Sequence, residues 1–328
     1  MNRAVIIYNP VSGSGRGEAV SSAAERRLAL AGWLVERRAT RDLDGAIPIA
    51  AEVAGSVDYL VVVGGDGSIR EAIVGLGDAA PHVDIGLVPV GNANVVAREL
   101  GIPRDPSAAI DALTTGCAVP IDVAFANSEL FLAMVGVGWD ALVVEHVAQL
   151  RRTRLGVWWY RRWADSVYFI AGLAAVFRVG PPRFRIIADR SVGPRRYCAA
   201  ILSNFRTYSK GWSMTPKAHC QSGRIHYQWR FRSLFVFVAW HVIAALLRRH
   251  SPHFISDYGD ANAIRLEGEQ PFPIQVDGDF RGYTTQLEVS VRSAAARIVV
   301  PLAAGSVQHP AWSSPESSRR RAEASVTG

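Results

Sequence analysis

Hydrophobic positions in the first third of the chain fall into short β-branched runs separated by stretches of helical periodicity. AVIIYN (4–9) is a continuous apolar run that predicts a strand, followed by a Gly/Ser loop and a helix ending near Ala31. WLVERRAT (33–40) predicts a second strand, and Asp42 to Ala54 a second helix. VDYLVVVGG (57–65) has the composition of a strand buried on both faces, with a helix from Ser68 to about Leu76. DIGLVPVG (84–91) is a fourth strand, followed by a helix from Asn94 to Leu100 that Gly101 and Pro103 end, and Pro106 to Thr115 reads as one more helix. Strands alternating with helices in this way form a doubly wound, mostly parallel sheet.

From about Ile121 the rhythm changes to strands in succession: PIDVAFAN, ELFLAMVGVG, RFRIIAD, YCAAILSN, IHYQWRF, AIRLEG, PFPIQVDG, TQLEVSV and RIVVP. Several alternate apolar and polar residues, as strands with one solvated face do. Two helical insertions interrupt them, at about 139–177 and 233–249. At 328 residues the chain exceeds the size at which one core stops growing. The expected fold class is therefore α/β in two domains: a doubly wound sheet over residues 1–121 and a β-rich, sandwich-like domain over 122–302. Residues 303–328, rich in Ser, Ala, Pro and Arg without periodicity, are expected to be a disordered tail.

Composition narrows the functions. With 49% hydrophobic and 20% charged residues the chain can bury a sizeable core. Its net charge of +7 is almost entirely arginine, since only Lys210 and Lys217 are lysines, and it favours anionic partners. Cys117, Cys198 and Cys220 are odd in number and widely spaced, which predicts buried, inert thiols rather than a disulfide framework or a zinc site. The start MNRAVIIYNP runs directly into a strand with no leader pattern, and Ser233 to Leu247 is shorter than the roughly 18–20 residues a spanning helix needs. A cytoplasmic protein is expected. The arginines form no long stripe and no nucleic-acid module is visible, so nucleic acid is a poor fit.

Three turns at the carboxyl ends of first-domain strands, where open α/β sheets bind ligands, carry unusual residues. NPVSGSGRG (9–17) combines three glycines with a following helix N-terminus, which suits phosphate or a plain turn; it is neither a Walker A loop nor G-x-G-x-x-G. In GGDGS (64–68), Gly64 and Gly65 clear space for a nucleotide, and Asp66 is placed to orient a magnesium–phosphate group, to take a proton, or to cap the helix starting near Ser68. PVGNAN (89–94) adds Gly91 with the short amides Asn92 and Asn94, for which ligand binding and helix capping compete.

Taken in order, NPxSG, a threonine after the second strand (Thr40), GGDGS, PVGNANVVAREL, GVGWDALVV, MTPKA and VDGD resemble the diacylglycerol kinase catalytic-domain family, which includes sphingosine kinases and bacterial lipid kinases. The likeness runs from Val5 to about Pro301. GGDGS alone would also suit phosphofructokinases or, less well, NAD kinases; the NP–VSG start and the GVGWDA segment favour lipid kinases. The resemblance implies a nucleotide-binding domain, a β-rich domain and a cleft between them, in which ATP lies against the glycine loops and a lipid hydroxyl attacks its γ-phosphate.

By position, the resemblance implies nucleotide contacts at Asn9, Ser12, Gly13, Thr40, Gly64, Gly65, Asp66, Gly67, Ser68, Gly91, Asn92 and Asn94, with Asp66 helping to hold magnesium–ATP. The D-G-E of many relatives, whose glutamate is proposed to deprotonate the lipid hydroxyl, corresponds to Asp277, Gly278 and Asp279. On its residues alone this Asp-Gly reads as a hairpin turn; the resemblance makes Asp279 the candidate base, one methylene shorter. Where many relatives have Gly-Thr-x-Asn-Asp, this chain reads Gly91-Asn92-Ala93-Asn94-Val95 and so lacks the threonine hydroxyl and a carboxylate. Ser222-Gly223 replaces an Asp-Gly that binds a second magnesium in some bacterial relatives, and no such site is expected here.

RRTRLGVWWYRRWADSVYFIAGL (151–173) interleaves arginines with aromatic residues. Arg151, Arg152, Arg154, Trp158, Trp159, Arg161 and Arg162 suit the interface of an anionic membrane, and the same pattern suits a helix packing its aromatics inward. The expected activity is a magnesium- and ATP-dependent lipid kinase working peripherally at an anionic membrane. The alternatives are a kinase for a soluble hydroxyl substrate and a catalytically impaired regulator that binds nucleotide or lipid.

Overall fold

A computed structural model describes residues 3–41, 45–178, 184–189, 191–192, 197–208, 213–230 and 257–302. The fold is α/β: a mostly parallel N-terminal sheet is joined to a β-rich region. The expected helix at 233–249 and the tail at 303–328 lie outside the described residues.

In the first region, parallel strands β1 (Arg3–Tyr8), β2 (Leu34–Ala39), β3 (Tyr59–Gly64) and β4 (Asp84–Pro89) lie in the order β2-β1-β3-β4. Every residue of Tyr59–Gly64 is buried, as its unbroken apolar run requires. Around this sheet run α1 (Ser12–Gly15), α2 (Gly17–Leu30), α3 (Ala46–Val53), α4 (Asp66–Leu76), α5 (Val95–Glu99) and α6 (Pro106–Thr115). The last starts where its sequence says it should: Asp105 caps it by accepting from the Ala108 N–H at 3.0 Å, and Pro106 occupies the first turn. The sheet order reverses between β1 and β3, so the loops leaving those strands flank a topological switch point.

The chain enters the second region on β5 (Cys117–Ala126) and continues through β6 (Glu129–Phe131), β7 (Met134–Gly138), α7 (Trp139–Leu150) and α8 (Arg154–Arg178). It then forms β8 (Phe184–Ala188), β9 (Ser191–Val192), β10 (Ala199–Ser203), β11 (Ile225–Arg230), β12 (Asp257–Ala261), β13 (Ala263–Val276) and β14 (Asp279–Val300). Two expected pairs of strands are continuous here. AIRLEG and PFPIQV form one strand, β13, with a register shift between Glu267 and Phe272, and TQLEVSV and RIVV lie within the long β14. Asp257–Ala261, polar and short, was not anticipated; it pairs only at an edge, with β11.

β14 ties the regions together. Its early part pairs with β13, its middle with β5, and Arg297 and Ile298 pair in parallel with Asp84 and Ile85 of β4. The segment RIVV thus completes the first sheet, and its apolar residues Ile298 and Val300 pack in the first core although they close the second region's sequence. That core is distinct from a second one around Phe131, Phe184, Tyr197 and Phe272, and a small third cluster holds α7 against α8. All three cysteines are free; Cys198 and Cys220 are buried as expected, whereas Cys117 is exposed at the start of β5.

Candidate active site

The three glycine-bearing loops leave the carboxyl ends of β1, β3 and β4 and touch one another through backbone. A side chain on Gly91 would put its Cβ 2.8 Å from the Gly65 Cα, so the loop after β4 can meet the loop after β3 only with glycine at 91. Gly13, at φ 59°, presses the loop after β1 onto Val90: a Cβ there would lie 2.9 Å from the Val90 carbonyl oxygen. Asn9 braces this loop, accepting the Val11 N–H on Oδ1 at 3.0 Å and the Ser12 N–H on its carbonyl at 3.1 Å. Thr40, just past β2, donates its backbone N–H to Tyr8 at 2.9 Å. Ser68 lies so close over Gly64 that a Cβ on that glycine would come within 2.6 Å of it, and Gly67 is exposed.

Asp66 does not cap its own helix, although one sequence reading expects it to. The helix begins at Asp66 itself rather than near Ser68, and the Asp66 carboxylate reaches across to the neighbouring loop, where Oδ1 accepts the Val96 N–H at 2.9 Å. It therefore fastens the start of α5 rather than capping its own helix. Burial raises its pKa, against the backbone N–H groups of α5, which lower it. Asn94 enters α5 in the left-handed conformation, at φ 47°. Its Nδ2 donates to the Gly91 carbonyl at 2.8 Å, while its Oδ1 is buried without a partner, facing Gly65 and Gly91. Asn92 is exposed at the loop tip.

Asp277 and Gly278, at φ 48° and 87°, form the two-residue connection between β13 and β14, so the hairpin reading of this Asp-Gly holds. The Asp277 side chain is nevertheless far from idle. Its carboxylate accepts the N–H groups of Leu132 and Ala133, each at 2.8 Å, and of Met134 at 3.0 Å, and burial raises its pKa. Asp279, the first residue of β14, is 60% exposed at its side chain. Arg70 Nη2 lies 3.8 Å from it and Arg281 Nη2 3.5 Å, and both arginines also pair with Glu129. Arg70 stands one helical turn after Asp66 on α4, so the Asp279 turn lies against the helix that Asp66 begins.

Behind Asp279 runs a series of buried polar contacts that the sequence did not single out. Gln275 accepts the Gly278 N–H on Oε1 at 2.8 Å and donates from Nε2 to Asp140 at 2.7 Å. The other Asp140 oxygen accepts the Tyr208 hydroxyl in a short hydrogen bond, and burial raises the pKa of both partners. Asp140 lies in the first turn of α7, and Gly136 leaves room for its carboxylate. Next to Tyr208, the N–H groups of Arg206 and Thr207 donate to Glu99 at 3.0 and 2.9 Å. Glu99 is the last residue of α5, the helix whose first turn Asp66 holds. Asp66 and Asp279 are thus joined through α5, Glu99, Tyr208, Asp140 and Gln275. The one sequence signal for this series was Asp140, inside the GVGWDA segment. Asp122 plays a similar fastening part elsewhere, accepting N–H groups of Gly223 at 2.6 Å and Ala294 at 2.9 Å.

Among the described residues no three His, Cys, Asp or Glu side chains gather as a metal site. The donors at the loops suit a cation that arrives on a nucleotide, because magnesium commonly takes one or two carboxylates and otherwise keeps phosphates and waters. Asp66 supplies a carboxylate, and the orphaned Asn94 Oδ1 requires a donor such as a cation-bound water or a ribose hydroxyl.

The arginine and aromatic cluster lies on α7 and α8. α8 departs from helical geometry at Trp163. Val167, Ala171 and Ala175 pack against α7, with Trp159 and Tyr160 partly buried beside them. Trp158 is 60% exposed, and Leu155, Trp163, Ile170 and Leu173 are exposed with it. The two readings of this segment therefore divide by residue: Trp159 turns inward and Trp158 outward. Arg151 stacks over Tyr160 and Arg162 over Trp163, at 4.7 and 5.8 Å from the ring centroids, and Arg152 is exposed. The side chains of Arg154 and Arg161 lie outside the described atoms. No described helix is long and apolar enough to cross a membrane.

Residues 3–126 match the family model for the diacylglycerol kinase catalytic domain. A diacylglycerol kinase of Mycobacterium tuberculosis (strain CDC 1551 / Oshkosh) is 30% identical over 234 residues, covering 68% of this chain and 71% of that protein. A diacylglycerol kinase of Bacillus subtilis (strain 168) is 26% identical over 286 residues, covering 86% of this chain and 91% of that protein. Among solved structures, a diacylglycerol kinase from Bacillus anthracis str. Sterne superimposes with a TM-score of 0.68 at 17% identity, over 91% of this chain and 96% of that one; at that identity the likeness speaks to the fold.

Proposed function

This chain belongs to the diacylglycerol kinase family, and from that premise we propose that it transfers the γ-phosphoryl group of ATP to the hydroxyl of a diacylglycerol- or sphingoid-like lipid in the cleft between its two regions. Family membership supports a lipid kinase at a general level. The observation that carries the finer reading is the approach of the Asp279 turn to the helix that Asp66 begins, through Arg70.

Phosphoryl transfer asks the protein mainly for positioning and for electrostatic stabilisation. The loops around Asn9, Ser12, Gly13, Thr40, Gly64 to Ser68, Gly91, Asn92 and Asn94 would hold the nucleotide, with backbone approaching where Gly65 and Gly91 meet. Asp66, beside Asn94, would hold magnesium, which when bound with the triphosphate spreads the negative charge of the transferring group. Asp279 would accept the proton of the attacking hydroxyl at its carboxylate. Arg70 and Arg281 orient that carboxylate, and the Gln275 to Gly278 contact fixes the turn beneath it. The outward face of α8, with Trp158 and the neighbouring arginines, would meet an anionic membrane, where a water-insoluble acceptor resides.

Turnover of radiolabelled ATP, measured against a panel of lipids in mixed micelles and a panel of soluble sugars and polyols, tests the reading. Labelled lipid with no labelled sugar is expected. Phosphorylation of soluble acceptors alone would replace the lipid by a soluble hydroxyl substrate, and no transfer to either, with nucleotide still binding, would leave a regulator.

A further inference from the structure

Beside the C-terminal end of α5 lies a cavity of about 520 Å³. Arg98, Gly101 and Arg104 line it from the first region, and Arg206, Thr207 and Ser213 from the second. Arg98 donates from Nε to the Ala93 carbonyl, and among the described residues no carboxylate pairs with any of the three guanidinium groups. The acids nearest in sequence are engaged elsewhere. Glu99 gives both oxygens to the N–H groups of Arg206 and Thr207, and Asp105 caps α6. Arg70, Arg281 and Arg297, by contrast, all have acidic partners. A second observation is independent of the charge. Ser213 is 3% exposed, yet its hydroxyl has no hydrogen-bond partner among the described residues. A buried unpaired hydroxyl is costly, and it marks a place where a partner belongs.

We propose that this cavity binds the phosphate group of a phosphomonoester. Forked guanidinium donors match a tetrahedral oxyanion in geometry and charge, and a monoester offers three terminal oxygens and close to two negative charges, more than a carboxylate or a phosphodiester. Such a group would bridge α5 to the segment after β10, the contact that Glu99 already makes, and so brace the helix whose opposite end Asp66 holds. No residue of the glycine loops lines the cavity, although Arg98 touches the Ala93 carbonyl of one of them, and the proposal does not depend on which acceptor the enzyme phosphorylates. The monoester has two possible sources, a soluble phosphate or a lipid headgroup.

The test uses the full chain saturated with a non-hydrolysable ATP analogue. Inorganic phosphate is titrated calorimetrically into the wild type, Arg104→Gln/Arg206→Gln and Ser213→Ala, with melting temperatures recorded alongside. Arg104 and Arg206 are exposed, so the double variant should melt as the wild type does. Phosphate should bind in the presence of the nucleotide analogue, and the double variant should weaken it about tenfold or more, the loss expected for charge-assisted hydrogen bonds. Ser213→Ala should weaken it by a smaller factor without loss of melting temperature. Vesicles containing phosphatidic acid, compared with vesicles of the phosphodiester lipid phosphatidylglycerol, separate the sources. A preference for phosphatidic acid that disappears in the double variant identifies a lipid headgroup, and phosphate binding with no such preference identifies a soluble ester. Phosphate binding that survives in the double variant, or that saturating nucleotide abolishes, overturns the proposal.

Discussion

In the first region, Gly13 and Gly91 let three loops touch through backbone alone, each within a few residues of the strand that delivers it. In the second region, Asp277, Gln275 and Asp140 fasten the chain by side chains that reach across great sequence distances: Asp277 lies 145 residues from Leu132, and Gln275 lies 135 from Asp140. The first depends on the absence of side chains and so tolerates little addition. The second depends on particular acceptors and so tolerates little removal. The proposed catalytic carboxylates, Asp66 in the first region and Asp279 in the second, make the contrast testable.

The largest expected effect belongs to those two carboxylates. Asp279→Asn should lower kcat by roughly 10²–10⁴, the range for loss of a general base, with little change in nucleotide affinity, whereas Asp279→Glu should stay active. Asp66→Asn should also remove turnover. The asparagine oxygen can still accept the Val96 N–H, so the start of α5 should remain in place and the melting temperature should hold. Asp66→Ala loses the acceptor as well and should lower both. If Asp66→Asn turns over normally in a well-folded protein, Asp66 only fastens α5, and the loop side contributes no charge to the chemistry.

Next in size is the cost of removing an acceptor. Asp277→Ala would strand three backbone N–H groups at Leu132, Ala133 and Met134, and at about 1 kcal/mol or more for each it should destabilise the protein by several kcal/mol. Chemical denaturation of this variant beside Asp279→Asn separates the neighbours: the first should lose stability, and the second chiefly rate. Equal stability of the two would mean that the β6 to β7 connection is held by the strands and not by Asp277.

The same contrast accounts for what could be read in advance. The parallel sheet, its helices and the three loops were legible because each is specified locally: Tyr59–Gly64 is an unbroken apolar run, Asp105-Pro106 announces α6, and Gly-Gly-Asp-Gly follows a strand. The link from Asp66 to α5 is not legible, because nothing local says that its carboxylate also reaches Val96, thirty residues on. Nothing in the sequence marks the fastening role of Asp277, since an Asp-Gly pair satisfies a hairpin whatever its side chain does. Glu99, Tyr208 and Gln275 carry no motif of their own, and their pairing exists only once α5, α7 and β13 are packed together. The return of Arg297 and Ile298 to β4 was hidden for the same reason: a parallel partner of β4 can come from anywhere in the chain.

A smaller effect is expected where the side-chain-built region meets a membrane. Arginines near an anionic surface contribute about 1 kcal/mol each, so converting Arg151, Arg152, Arg154, Arg161 and Arg162 to glutamine should weaken vesicle co-sedimentation, and the wild type should bind less as salt screens the surface. Trp158→Ala should weaken binding further, and Trp159→Ala should act mainly on stability, because Trp158 is exposed and Trp159 packs against α7. Binding to neutral vesicles at high salt that none of these changes alters would detach the α8 surface from membrane docking.

The smallest effect, and the most specific to the side-chain-built side, is a dependence on pH. Burial raises the pKa of Asp140 above the ordinary carboxylate value of 3.8, so in the folded protein it holds a proton that the unfolded chain has already released. Its contribution to stability is complete below the unfolded value and is lost as pH rises through the folded one. Asparagine cannot titrate, yet it can accept from Gln275 and donate to the Tyr208 oxygen in the same place. As pH rises above the ordinary carboxylate value of 3.8 the wild type should therefore lose stability relative to Asp140→Asn, the difference growing until the folded group has also released its proton. The comparison must be made as a difference between the two proteins, because Asp66, Asp122 and Asp277 are also raised by burial and titrate in both. Parallel stability curves would place the Asp140 carboxylate at its unfolded value and show that the donors from Tyr208 and Gln275 offset its burial completely. A turnover profile measured on the same pair adds the functional half: if the Gln275 contact positions the Asp279 turn, Asp140→Asn should lower kcat modestly while leaving the nucleotide KM unchanged, since the glycine loops share none of these side chains.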